Sequence, residues 1–153
     1  MTWTFDPVGA ADAETLLHLA RAFHEEEGHP IGDAGEAALR QVARGEPLAR
    51  AWIVRQQGEA VGYVIITIGF SIEYGGRDGF IDDLYLVPPA RGHGLGRRLL
   101  EFALARAAEV GIGTLHLEVE PDNANAVRLY RGAGFEETGR RLMRLRLANS
   151  RAS

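Results

Sequence analysis

The segment Arg91-Gly92-His93-Gly94-Leu95-Gly96-Arg97-Arg98 sets three alternate glycines between an apolar run and a stretch with helical periodicity. A turn of that kind exposes backbone N–H groups at the positive end of a helix dipole, where a phosphate is favoured. First helical turns favour acidic side chains, yet this one holds Arg97 and Arg98 with Arg91 just upstream, so a bound anion is expected to offset them. Before the turn, Asp82 and Asp83 interrupt the apolar run Phe80 to Val87. An unpaired carboxylate inside such a strand costs several kcal/mol, so at least one must face a polar cleft or a partner. Strict alternation puts Asp82 on one face with Leu84 and Leu86, and Asp83 on the other with Ile81, Tyr85 and Val87. Only one of the pair is then expected to meet a substrate, and a carboxylate of raised pKa can take the proton of an arriving ammonium group. Further on, Tyr130 is either a core residue of an amphipathic helix or a hydroxyl that protonates a leaving group. Asn123, after Pro121-Asp122, is either a helix cap or a ligand contact.

These residues need elements to hold them. Trp3 and Phe5 start a strand, and a helix capped by Asp12 carries Leu16, Leu17, Leu19, Ala20 and Phe23 on one face. A second helix covers 35–44 and stops at Gly45-Glu46-Pro47. Ala51 to Arg55 and Val61 to Ile68 form a hairpin around Gln57-Gly58, and the run through Val87 is a central strand ended by Pro88-Pro89. The glycine turn opens a helix through Leu104, and Leu115 to Val119 alternates as the next strand, parallel to the previous one because a helix intervenes. A short helix through Ala126 and Tyr130 follows, then one or two strands over Phe135 to Leu147.

The 153 residues, 46% of them hydrophobic, suit one domain over residues 1–148 with a short polar tail at 149–153. No apolar run reaches the roughly 20 residues of a membrane span, and the N-terminus lacks a secretory pattern, so a cytoplasmic protein is expected. Cysteine is absent, which rules out a thiolate nucleophile, an acyl-cysteine intermediate and thiolate-bound zinc. All 17 basic residues are arginine, which rules out a lysine phosphate loop and a Schiff base. A net charge of -4 argues against general nucleic-acid binding. No metal site is expected.

Arg91, Gly94 and Gly96 fill a pattern of Arg or Gln, two residues, Gly, one residue, then Gly or Ala. At the end of a strand it resembles the pyrophosphate-binding segment of the GNAT acetyltransferases. Asn123 to Leu129-Tyr130, followed by Gly134-Phe135, is similar to the second half of that family's signature, at the family spacing. The likeness is strong from Phe80 to Phe135 and loose over residues 1–48. It implies the mixed α/β fold of acyl-CoA N-acyltransferases, with the order β-α-α-β-β-β-α-β-α-β-β. It further implies that the backbone from Arg91 through Gly92, His93, Gly94, Leu95 and Gly96 to Arg97 holds the pyrophosphate of acetyl-CoA. Leu84, Tyr85 and Leu86 would lie beside the thioester and pantetheine, a backbone N–H there holding the oxyanion. Asn123 would touch the cofactor arm, and Tyr130 would protonate the departing thiolate. The Asp82-Asp83 pair resembles the Glu-Asp pair of diamine acetyltransferase-like members, whose first acid is the proposed base. That match selects Asp82, with Asp83 structural.

The resemblance thus implies N-acetylation by direct attack in a ternary complex. The acids, with Glu73, Glu118 or Glu25 to Glu27, favour a small cationic amine, although the Glu25 to Glu27 run also reads as a solvated helix end. The alternatives are a protein N-terminal or lysine acetyltransferase, and a non-catalytic coenzyme A-binding module. A homodimer through the C-terminal strands is implied by resemblance alone. His24 and His29 fail the HExxH pattern because position 28 is Gly28, and Ser71 fails the nucleophile elbow because Glu73 stands where glycine is needed. His93 is expected to face solvent or phosphates, and His18 and His116 to pack.

Overall fold

The computed structural model describes residues 2–147. Gln57 and Gly58 both adopt left-handed backbone, φ 53° and 81°, which is what a tight two-residue hairpin requires. They join β2 (Ala49–Gln56) to β3 (Glu59–Ser71), whose β-branched residues suit a pleated, half-buried surface. β1 (Trp3–Pro7) flanks β2, and β4 (Gly76–Leu86) flanks β3, all antiparallel. β5 (Thr114–His116) completes the five-stranded sheet beside β4, parallel to it as the intervening helix demands.

Helices cover both faces. Leu16, Leu17 and Ala20 of α1 (Ala13–Glu26) and Leu39 of α2 (Asp33–Arg44) pack with Ile53, Tyr63, Ile65 and Tyr85. Leu95, Leu99, Leu100 and Ala103 of α3 (Leu95–Glu109) pack on Trp52, Val54, Val64, Ile66, Ile81 and Leu86. Side chains of this size, fully buried, contribute roughly 1.5 to 3 kcal/mol each, enough to hold the sheet rigid beneath a site on its rim. α4 (Ala124–Gly132) follows the gap beyond β5.

β4 is not regular. Asp83 pairs with Ile65 and Ile81 with Ile66, which leaves Asp82 as an extra residue, a β-bulge. The bulge breaks the alternation expected from the sequence. Ile81 joins Leu84 and Leu86 on the α3 side, while Asp83 stays with Tyr85 on the α1 side. It also turns β4 away from its parallel neighbour. The last β4–β5 pair is Phe80 with His116, so the strand expected over Leu115 to Val119 ends early and 117–120 diverges.

Two further expectations are corrected. Asp12 stands at the start of α1 but bonds elsewhere: its carboxylate accepts the Gly9 N–H at 2.8 Å and Arg55 at 3.1 Å. The final β-β of the expected order does not form among the described residues. Residues 136–147 carry no regular structure, and Leu142, Met143, Leu145 and Leu147 are 70%, 90%, 83% and 70% exposed. Alternation selects a face but supplies no partner strand. The dimer contact implied through those strands therefore has no strand to rest on here. The tail expected at 149–153 lies outside the described residues. No described helix is long and apolar enough to cross a membrane.

The close seating of β3 on β4 is testable. A Cβ at Gly62 would collide with the Tyr85 carbonyl oxygen and lie 2.7 Å from Leu86 Cδ2, whereas one at Gly96 meets nothing closer than 3.8 Å. Gly62→Ala should lower unfolding free energy by about 1 to 3 kcal/mol in a denaturant titration, and Gly96→Ala should not. Equal stability of the two variants would contradict this packing.

Candidate active site

Where β4 and the 117–120 segment part, the sheet leaves a cleft of about 100 Å³. Ile81, Asp82 and Leu84 form one wall, Leu117 to Glu120 the other, with Phe23 of α1 and Glu27 just past its end above, and Asn123 with Ala126 and Tyr130 of α4 below. Val87 N–H bonds to the Val61 carbonyl on β3, and alternation then turns the amides of Leu84 and Leu86 away from β3, toward the gap. The Leu86 carbonyl, which accepts Arg91 Nε at 2.9 Å, points the same way.

Asp82 and Tyr130 share this cleft, and neither side chain makes a hydrogen bond or ion pair among the described residues. Partial burial first, then the neighbouring Asp83 and, more weakly, Glu118, raise the Asp82 pKa, with His24 acting the other way. Burial and then Glu27 push the Tyr130 phenol up to about 12, which keeps it a proton donor at neutral pH. Both shifts run upward: the carboxylate becomes the better proton acceptor, and the phenol still holds a proton to give. Tyr130 is half-buried and oriented by an edge-on contact with Phe135 at 5.8 Å.

Asp83, by contrast, is 7% exposed and lies on the other face of β4. Its Oδ2 accepts the Tyr63 hydroxyl at 2.7 Å and sits 2.9 Å from His24 Nε2, so it is a satisfied structural carboxylate. The side chains of Tyr85 and Leu86 are buried in the two opposite cores, which leaves their backbone as the part available to a ligand. Asn123 caps α4, its Oδ1 accepting the Ala126 N–H at 3.2 Å.

The glycine turn leads straight into α3. Gly92 and Gly94 have φ of 82° and 78°, and a Cβ added at either would meet nothing within 4 Å. The first N–H groups of α3 have no carbonyl upstream to receive them. The turn is therefore an open cradle of donors that suits a pyrophosphate, flanked by exposed His93. The arginines need the anion less than the sequence suggests. Arg91 is held by Glu26 at 2.8 and 3.0 Å and lies over the Tyr85 ring, Arg97 meets Glu101 at 3.1 Å, and Arg98 covers Trp3.

Asp82, Leu84, Asn123 and Tyr130 are thus brought together and Asp83 is set apart. Of the glutamates, Glu27 and Glu118 reach the cleft with Glu120, while Glu73 is occupied by Arg140 at 2.6 and 2.8 Å. Reading Glu25 to Glu27 as a solvated helix end missed Glu27, and nothing in the sequence pointed to the contact of His24 with Asp83, 59 positions away. His116 packs between Tyr74 and Phe80 as expected, near Asp78. A larger hollow of about 420 Å³ lies between the end of α3 and the outer side of β5, lined by residues such as Tyr74, Leu104, Leu115 and Phe135. None of the site residues named from the sequence lines it.

Comparison with known proteins agrees with this geometry. The acetyltransferase (GNAT) family profile matches residues 13–135. A mycothiol acetyltransferase of Thermobispora bispora is 36% identical over 141 residues, covering 86% of this chain but 45% of that protein. The chain thus spans about half the length of the first curated relatives it matches. A peptidyl-lysine N-acetyltransferase of Salmonella typhimurium is 30% identical over 141 residues, 82% of this chain and 87% of that one. Among solved structures, an integron cassette protein from the mobile metagenome of Cole Harbour Salt Marsh superposes with a TM-score of 0.79 at 33% identity, covering 95% of this chain and 91% of that one. With the five-stranded sheet, the cradle before α3 and the parted β4 and β5 already in view, the match identifies the chain as a member of the GNAT acetyltransferase family.

Proposed function

We propose that this chain transfers the acetyl group of acetyl-CoA to the nitrogen of a small cationic amine, with the whole site carried by a single cytoplasmic domain over residues 1–148. The observation that carries the reading is the shared cleft of Asp82 and Tyr130, both without hydrogen-bond partners among the described residues, a carboxylate made more basic by burial beside a phenol that stays protonated. Acetyl-CoA would be held at the pyrophosphate by the backbone amides of 92–97, and it supplies the activated acyl group. Asp82 takes the proton of the ammonium group, freeing the nitrogen lone pair to attack the thioester carbon. The amides of Leu84 and Leu86 face the position where negative charge develops on oxygen. As the carbon–sulfur bond breaks, Tyr130 gives its proton to the departing sulfur, and the surplus proton of the acylated nitrogen passes to the phenolate and restores it. With no cysteine in the chain, no thiol relay through the protein precedes this attack.

The acceptor class follows from the walls. Glu27, Glu118 and Glu120 join Asp82 around a cleft with two aromatic side chains, Phe23 and Tyr130, a setting for an alkylammonium group. No three of these carboxylates converge as metal ligands do among the described residues. A lysine side chain presents the same ammonium group, and the peptidyl-lysine relative favours a protein acceptor as the second reading. Thiol release from acetyl-CoA with polyamines, aminoglycosides, amino acids and basic peptides separates the two. Turnover with one small-amine class supports the first reading, turnover with peptides alone supports the second, and none with any acceptor contradicts both.

Three outcomes are expected. Tyr130→Phe should lower kcat by about 100-fold or more while coenzyme A affinity stays within about threefold by calorimetry. Loss of both to the same degree would remove the acid role. Gly94→Trp, which fills the open cradle, should abolish coenzyme A binding in the same calorimetric titration; retained binding would place the pyrophosphate elsewhere. The pH profile of kcat/KM should rise as Asp82 loses its proton, at a pH above the usual carboxylate range, and Asp82→Asn should remove that limb.

A further inference from the structure

The last turn of α1 is fastened to the rest of the site at two points. His24 Nε2 lies 2.9 Å from Asp83 Oδ2, and Glu26 grips Arg91 beyond the end of β4. Phe23 and Glu27, from that same turn, line the cleft. Asp83 neighbours the bulged Asp82, and its Oδ2 also receives the Tyr63 hydroxyl at 2.7 Å. Burial and Asp83 hold the Tyr63 phenol protonated, so it neutralises none of the charge on Asp83. The imidazole is the one group in this contact that can carry a compensating positive charge. Facing it are Asp83 and Asp82 from β4, Tyr63 from β3 and Glu27 from its own helix end, while Glu118 faces Asp82 from the segment after β5. Phe23 supports the ring edge-on at 5.2 Å.

We propose that His24 is a positioning residue of the acceptor site: as an imidazolium seated on Asp83, it clamps the last turn of α1 to the β4 bulge and holds a positive charge beside the general base. The proposal rests on the reading of Asp82 as that base. Asp83 draws the proton onto His24, chiefly through their hydrogen bond, against the opposing effect of burial, and His24⁺ in turn favours the ionised form of Asp82. Without the charge, the Asp83 carboxylate acts on Asp82 uncompensated and the base holds its proton to higher pH.

The test separates charge from clamp. His24→Gln keeps a donor for Asp83 and removes the charge. It should move the acid limb of kcat/KM to higher pH, while kcat on the alkaline plateau stays within about threefold of the parent. His24→Arg restores a cation and should return the limb toward its original position, while His24→Phe should move the limb and also raise the acceptor KM. A signal that does not depend on turnover is the imidazole proton titration by NMR. His24 should titrate above the ordinary histidine range, and Asp83→Asn should lower it. A limb unmoved in His24→Gln, or a His24 that titrates in the ordinary histidine range, overturns the proposal. An acid limb that persists in Asp82→Asn overturns the base reading instead, and the NMR titration still decides whether the clamp exists.

Discussion

Asp82 has no partner residue on β3: two residues of β4 stand where β3 offers one, and the chain must bend to accommodate the excess. That single insertion decides most of the geometry around the site. It rotates Ile81 into the α3-side core while Asp83 stays on the α1 side. Beyond it β4 and the chain after β5 diverge, so backbone groups that a neighbouring strand would consume stay available. A ligand that lies along that gap would occupy the place of a missing strand. The rigid layers on either side, with Tyr63, Leu99 and Leu100 wholly buried, keep the gap from closing.

The cleft concentrates negative charge, and the fold tolerates this because the carboxylates are handled differently. Asp83 is withdrawn from water and paired with a histidine and a phenol. Asp82 keeps one side open to the cleft and has no partner, so its neighbours weight it toward the protonated form. Glu26 is neutralised by Arg91, and Glu27, Glu118 and Glu120 remain at the rim. An unpartnered carboxylate and an unpartnered phenol in one cleft cost stability that a core of this size can bear, and function is the usual setting for such a cost.

Much of this was legible in the sequence. The glycine turn, the βαβ crossover and the hairpin at Gln57-Gly58 rest on local spacing, and local spacing is what a sequence displays; only the family resemblance singled out Asp82 from Asp83. The pairing of His24 with Asp83 is a contact between distant segments that no periodicity encodes, and Glu27 became a wall of the cleft only once α1 was docked. The bulge was hidden because Phe80 to Val87 reads as an unbroken strand, and nothing in its residue types marks the extra one. The alternation of Leu142 to Leu147 misled in the opposite direction: it marks the faces of a strand but no partner edge, and residues 136–147 carry no regular structure.

On the proposed function, acetyl-CoA and its acceptor meet in the cleft between β4 and the 117–120 segment, and not in the larger hollow behind α3 and β5. A crystal structure of the complex with coenzyme A tests this directly. The pyrophosphate should lie on the amides of 92–97, with the thiol directed between Leu84 and Tyr130. Coenzyme A seated instead against Leu104, Leu115 and Phe135 would contradict the account.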